Sequence, residues 1–221
     1  MPLELLEWGR TEYPDALARM RALRAARRRG EVDDTLILTE HEPVITVGVG
    51  GADRAGLPEG VPVVAVERGG MATYHGPGQL VGYAIVDLET RGRDVRRFVH
   101  DLEELLARSL AKFGVAAARV PGKRGVWVPG DRKIASVGVA VEQWVTFHGF
   151  ALNVSVDLAA FDRFEPCGLP GSVMTSLERE TGRAIPLAEV HGPVAEAWRS
   201  VFGTPYARTV PVPEALSAPT P

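Results

Sequence analysis

Apolar residues recur along this chain in two periods. Between residues 13 and 29, Leu17, Met20 and Leu23 fall on one face at helical spacing and Gly30 follows as a stop, which predicts an amphipathic helix. Residues 94–113 predict the clearest helix, with an apolar stripe of Val95, Phe98, Val99, Leu102, Leu105 and Leu106 closed by Gly114. A short helix is expected over 173–180 and a last one over 187–202. Strand-like runs occupy 35–39 and 44–47, parted by the turn Glu40-His41-Glu42-Pro43, and then 61–66, 83–88, 115–120 and 125–128. Residues 133–141 and 145–156 predict a long hairpin around Glu142-Gln143-Trp144. A glycine-rich passage fills 69–82.

Helices mixed with hairpin-joined strands predict an α/β (α+β) domain with a mixed, largely antiparallel sheet flanked by helices. The 221 residues fit one domain better than two, expected over 1–203, with a proline-rich, loosely ordered tail over 204–221. Hydrophobic residues at 45% and charged ones at 24% are ordinary globular values. A formal charge of -3 gives no reason to expect nucleic acid, and no apolar run is long enough to span a bilayer. Glu4, Glu7 and Glu12 stand where a signal peptide needs a basic start, so a cytoplasmic enzyme without a membrane partner is expected. The single cysteine, Cys167, excludes an internal disulfide and a cysteine-rich metal site, and no metal is expected.

Lys112, Lys123 and Lys133 are the only lysines and Asn153 the only asparagine. Codon usage in a GC-rich genome accounts for that bias, and heat adaptation would also deplete asparagine. A lysine is therefore a less casual choice here than in most chains.

The densest chemical signal is Arg68-Gly69-Gly70-Met71-Ala72-Thr73-Tyr74-His75-Gly76-Pro77-Gly78-Gln79. Paired glycines let backbone approach a ligand and expose N–H donors, so this is either a binding loop or a glycine-rich hairpin connection. It matches neither the phosphate-binding GxxxxGK[ST] pattern nor a dinucleotide fingerprint. The second signal is Pro166-Cys167-Gly168-Leu169-Pro170-Gly171. A free cysteine is most often a buried small hydrophobe, but proline, glycine and the preceding polar run Asp162-Arg163-Phe164-Glu165 favour access. A catalytic thiol needs a neighbouring cation or base, because its reference pKa is about 8.5. Lys133, His75 and His148 are the candidates. Lys133 opens the apolar run Ile134-Ala135-Ser136-Val137-Gly138, where it is either an ordinary edge charge, the commoner case, or a lysine that burial brings into proton-transfer range. A lone histidine is more often structural, and His41, His100 and His191 receive no role. The basic stretch over residues 19–29 is either a solvated face complementing the helix dipole or, through Arg24, Arg27 and Arg28, a surface that steers an acidic partner.

Together these segments resemble the octanoyltransferases of the lipoyl pathway (octanoyl-carrier-protein:protein N-octanoyltransferases). The likeness is carried by residues 68–79, by Leu38-Thr39-Glu40-His41-Glu42-Pro43-Val44, and by Lys133 to Gly138. It continues in Val145-Thr146-Phe147-His148-Gly149-Phe150-Ala151-Leu152-Asn153-Val154, Pro166-Cys167-Gly168 and Val173-Met174-Thr175-Ser176-Leu177, and spans about 8–202. Ala84 after Tyr83, and Thr39, are mild departures that touch no reacting group. The resemblance implies the fold of the biotin and lipoate protein ligase catalytic domains and no cofactor. It implies transfer of octanoyl from acyl carrier protein to a lysine on lipoyl domains of 2-oxoacid dehydrogenases or the glycine-cleavage H protein. Cys167 matches the family nucleophile and Lys133 the lysine that activates it, with His148 as a possible support. Arg68 to His75, Ser136, Val137, Gly138, Gly149, Phe150 and Ala151 match the segments lining the substrate site. An ATP-dependent ligase of the same fold, or a non-catalytic carrier-binding module, would not need Cys167.

Overall fold

The protein is described by a computed structural model, which covers residues 3–51, 59–162 and 170–203 and, for the backbone alone, Tyr206–Thr209. In chain order the elements are β1 (Leu3–Thr11), α1 (Tyr13–Arg28), β2 (Asp34–His41), β3 (Val44–Val47), β4 (Val63–Ala65), β5 (Ala72–His75) and β6 (Gln79–Ile85). Then follow α2 (Val95–Ala111), β7 (Ala118–Val120), β8 (Lys123–Val128), β9 (Arg132–Glu142), β10 (Val145–Asn153), α3 (Leu177–Thr181), α4 (Leu187–Phe202) and β11 (Tyr206–Thr209).

Eight strands form one sheet in the order β11-β1-β2-β6-β10-β9-β8-β7, and β4-β3-β5 form a second. In the large sheet β1 runs parallel to β2 and β11, and every pairing from β2 to β7 is antiparallel. The expected mixed, largely antiparallel α/β class is therefore observed. Side chains alternate across each strand, so adjacent residues of β2 serve different cores. Leu36 and Leu38 join Leu80, Leu152 and the buried stripes of α2 and α4, while Ile37 joins Val81, Tyr83 and the α1 residues Leu17, Met20 and Leu23. A third cluster, around Ile45, Tyr74, Phe161 and Met174, seats the small sheet.

Several elements differ from expectation. The apolar pattern assigned no strand to residues 3–11, because Leu5-Leu6 breaks the alternation and the pairing with β2 shifts register between Glu7 and Gly9. The glycine-rich passage contains β5 and the start of β6. The last helix is observed with the expected bounds, whereas the short one begins later, at Leu177. Within the tail, Tyr206–Thr209 pairs with β1.

The basic end of α1 does not present a free cationic surface. Arg27 is only 5% exposed, and its Nε lies 2.9 Å from the buried carboxylate of Asp34. Arg24 pairs with Glu142 at 3.2 Å and lies over the Phe147 ring, leaving Arg28 as the one of the three that is well exposed. Steering by all three is thereby replaced by a structural role for Arg27. Among the described residues no helix is long and apolar enough to cross a membrane.

Candidate active site

Strand register builds a floor of mostly small residues. Ala151 of β10 stands opposite Val81 of β6 and Ser136 of β9, and Gly149 stands opposite Tyr83 and Gly138. Residues directly opposite in antiparallel strands share a face, so these two rows look toward the same side as α1. Glycine is required at 149, since a Cβ there would collide with the Gly82 carbonyl oxygen just after His148 takes a left-handed φ of 60°. Above the floor lie residues 68–75, and between them is a cavity of about 340 Å³. Its volume is in the range of small-molecule sites.

Of the residues that the resemblance assigned to catalysis or the substrate site, all the described ones border this cavity except Ala72 and Tyr74. Those two alternate with Thr73 and His75 along β5, and alternation turns them into the third apolar cluster with Phe161. Cys167 lies outside the described residues. The cavity also uses Tyr13, Val81, Tyr83, Trp127 and, where β8 begins, Gly122-Lys123-Arg124, none of which the motifs marked. Tyr83 and Val81 share the inward side of β6, a signal that becomes visible only once the strand's buried face is known.

Arg68 organises the loop rather than projecting from it. Its Nη2 donates to the Thr46 carbonyl at 2.8 Å and hydroxyl at 2.7 Å, and its Nη1 donates to the carbonyls of Gly69 and Met71. The Gly69 N–H is spent on the Val139 carbonyl at 2.9 Å, so it is not available as an oxyanion donor. The glycines thus serve close backbone packing between loop and sheet as well as access.

Lys133 is 3% exposed at the start of β9, with Nζ 5.7 Å from the centre of the Trp127 ring. Its stem passes Gly125, where an added Cβ would come within 2.9 Å of Lys133 Cε. Gly125 has φ 90°, and its N–H is held by the Glu103 carboxylate at 2.9 Å. The chain beyond residue 169 is tied to this lysine: Met174 forms a bridge with it, and the Thr175 N–H donates to its carbonyl at 2.9 Å. The one asparagine reinforces that junction. Asn153 Nδ2 donates to the Thr175 carbonyl at 3.0 Å, and its Oδ1 accepts from Gln79 Nε2 at 2.9 Å.

His41, His75 and His148 are neutral parts of the framework. Gln79 Nε2 is a donor here, so Gln79 Oε1 must accept from His75 Nδ1–H at 2.7 Å, leaving His75 Nε2 to accept from Thr46. Burial first, and the neighbouring His41 second, hold His75 down to about 3. Burial also holds His41 and His148 to about 4, Arg68 adding to the effect at His148. His41, assigned no role from the sequence, bonds the Tyr83 hydroxyl at 2.6 Å and so supports the cavity wall from behind.

These depressed values carry a stability prediction. The unfolded chain protonates near 6.5 and the fold resists protonation, so stability is complete above 6.5 and falls as the pH drops toward the folded values. Each histidine contributes a slope of at most about 1.4 kcal/mol per pH unit. Urea unfolding between pH 6.5 and 5, where few carboxylates titrate, should show the loss. A flat stability across that window would show that these histidines protonate inside the fold.

Comparison with known proteins places this architecture. Residues 12–199 match the family described as the lipoyl protein ligase A/B catalytic domain. A relative named octanoyltransferase, from Geobacter metallireducens, is 49% identical over 187 residues, which cover 85% of this chain and 87% of the relative. A crystal structure of lipoate-protein ligase A bound with ATP superposes with a TM-score of 0.81 at 17% identity, covering 98% of this chain and 93% of that one. Biotin protein ligase from Aquifex aeolicus follows at a TM-score of 0.53 and 12% identity, covering 92% and 70%. At those identities the two structures speak for the fold, while the family match and the 49% relative speak for descent. The chain belongs to the lipoyl protein ligase A/B catalytic domain family.

Proposed function

We propose that this protein transfers an octanoyl group from acyl carrier protein to a lysine of a lipoyl domain, through an acyl-enzyme on Cys167. The observation that carries the reading is the buried Lys133 in the wall of a small-floored cavity, in a chain 49% identical to a relative named octanoyltransferase. In the first step the Cys167 thiol gives its proton to Lys133 and its sulfur attacks the thioester carbonyl. The carrier thiolate leaves and takes that proton. In the second step the acceptor amine attacks the Cys167 thioester, forming the amide and returning the thiol. The donor is a thioester and the product an amide, so transfer runs downhill without nucleotide. Splitting the exchange into two acyl transfers lets two protein substrates visit in turn.

Intact-mass measurement after incubation with octanoyl carrier protein, with no ATP present, tests the reading. One octanoyl adduct is expected on the wild type and none on Cys167→Ala. Transfer that requires ATP and free octanoate would instead make this an adenylating ligase. Transfer retained by Cys167→Ala would remove the acyl-enzyme.

A further inference from the structure

The apolar stripe of α2 is wider than the core uses. Phe98, Leu102, Leu105 and Leu106 are fully buried, yet Val95, Val99 and Ala107 remain partly exposed. With Glu103 they form an i, i+4 row along one side of the helix. That row faces Val120 of β7 and Val137 and Val139 of β9 across an open groove of about 900 Å³.

Two further features mark this groove as more than a packing defect. It adjoins the cavity, since Gly69, Gly122, Lys123, Arg124, Val137 and Gly138 border both. Arg124 lies at that junction, with Nη1 3.6 Å from where a Cβ on Gly69 would stand. The groove is also cationic. Arg96, Arg119, Lys123 and Arg124 line it against two carboxylates among the described residues, and Lys123 is paired with Asp131 at 2.9 Å. Glu103 holds the Gly125 amide and Glu104 holds Arg108 at 2.8 Å.

A thioester buried in the cavity must be delivered by something thin enough to follow it there. The phosphopantetheine arm of a carrier protein has that form: a thioester end, a middle of amides and alkyl groups, and a phosphodiester where it joins the protein. A lysine side chain from an acceptor is shorter and brings no anion. We propose that the groove between α2 and β7–β9 holds the phosphopantetheine arm of the octanoyl donor, with Arg96 and Arg119 receiving the phosphodiester. This rests on the reading of the donor as a carrier-protein thioester.

Three donors separate the outcomes: octanoyl carrier protein, free octanoyl-phosphopantetheine, and octanoyl-N-acetylcysteamine, which lacks most of the arm and its phosphate. The double variant Arg96→Glu/Arg119→Glu should raise KM for the first two by about ten- to a hundredfold, the worth of one or two charge-assisted contacts. Ala107→Trp, which fills the groove from a partly exposed helix position, should do the same. With octanoyl-N-acetylcysteamine both variants should stay within about twofold of wild type. Equal losses on all three donors, or no change on any, would overturn the groove. So would a raised KM for the lipoyl domain alone, which would make the groove the acceptor's surface. A wild type that transfers from none of the three thioesters would instead defeat the donor reading itself.

Discussion

Lys133→Arg is expected to transfer octanoyl about 10²–10⁴-fold more slowly than wild type, the usual worth of general acid–base help. It should still keep part of the thiol's reactivity toward iodoacetamide. A fixed positive charge favours the Cys167 thiolate, and arginine supplies one. A proton shuttle must titrate, and arginine does not in the working pH range. Lys133→Met, lacking both charge and proton, should lose reactivity and transfer together. The pocket around Lys133 makes a control necessary. Its stem is confined between Gly125 and Trp127, and a planar guanidinium is bulkier than an ammonium. A structure of the arginine variant, with thiol alkylation followed against pH, separates misplacement from a lost shuttle. Transfer by Lys133→Arg at near wild-type rate would leave only the charge as this residue's contribution.

Asp34→Ala is expected to destabilise the fold by about 3–5 kcal/mol while leaving the chemistry almost intact. The Asp34 side chain is 0% exposed, and four donor groups converge on it. Arg27 Nε binds Oδ1 at 2.9 Å and the Asp87 N–H binds it at 3.0 Å; Arg91 reaches Oδ2 through Nη2 at 3.0 Å and Nε at 3.3 Å. Arg91 also donates to the Phe202 carbonyl at 3.2 Å, so one carboxylate joins the end of α1, the start of β2 and the end of α4. Removing it strands Arg27, which is too buried to rehydrate, with the Asp87 carboxylate 3.7 Å away as the one remaining anionic partner among the described residues. For a chain of this size the loss corresponds to a fall in Tm of roughly 6–20 °C. Because none of these groups borders the cavity, kcat/KM measured well below the transition should stay within about twofold of wild type. A stability change under about 1 kcal/mol would show that water reaches Arg27 and that the cluster is not a buried pair.

Local pattern carried the element types, and the family resemblance carried most of the candidate site. The long hairpin of β9 and β10 was legible because its alternation and its turn are both written within a few residues. The same holds for α2 and α4, whose apolar periods need only neighbours three and four positions away. The Arg68 to His75 motif and the Lys133 and Gly149 segments were assigned to the substrate site by the family resemblance, and in the fold they border the cavity. What the sequence left open depends on which distant strands pair. Tyr83 opposite Gly149 does not follow from chain order, because β6 and β10 become neighbours only through a crossover. The same tertiary choice turned Ala72 and Tyr74 away from the cavity, although they stand within the motif. It also buried Arg27 against Asp34, where the chain alone showed one cation in a basic run. The groove beside α2 was hidden for a related reason. A helical period states which residues share a face, and only packing decides which of them the core covers and which it leaves open to a partner.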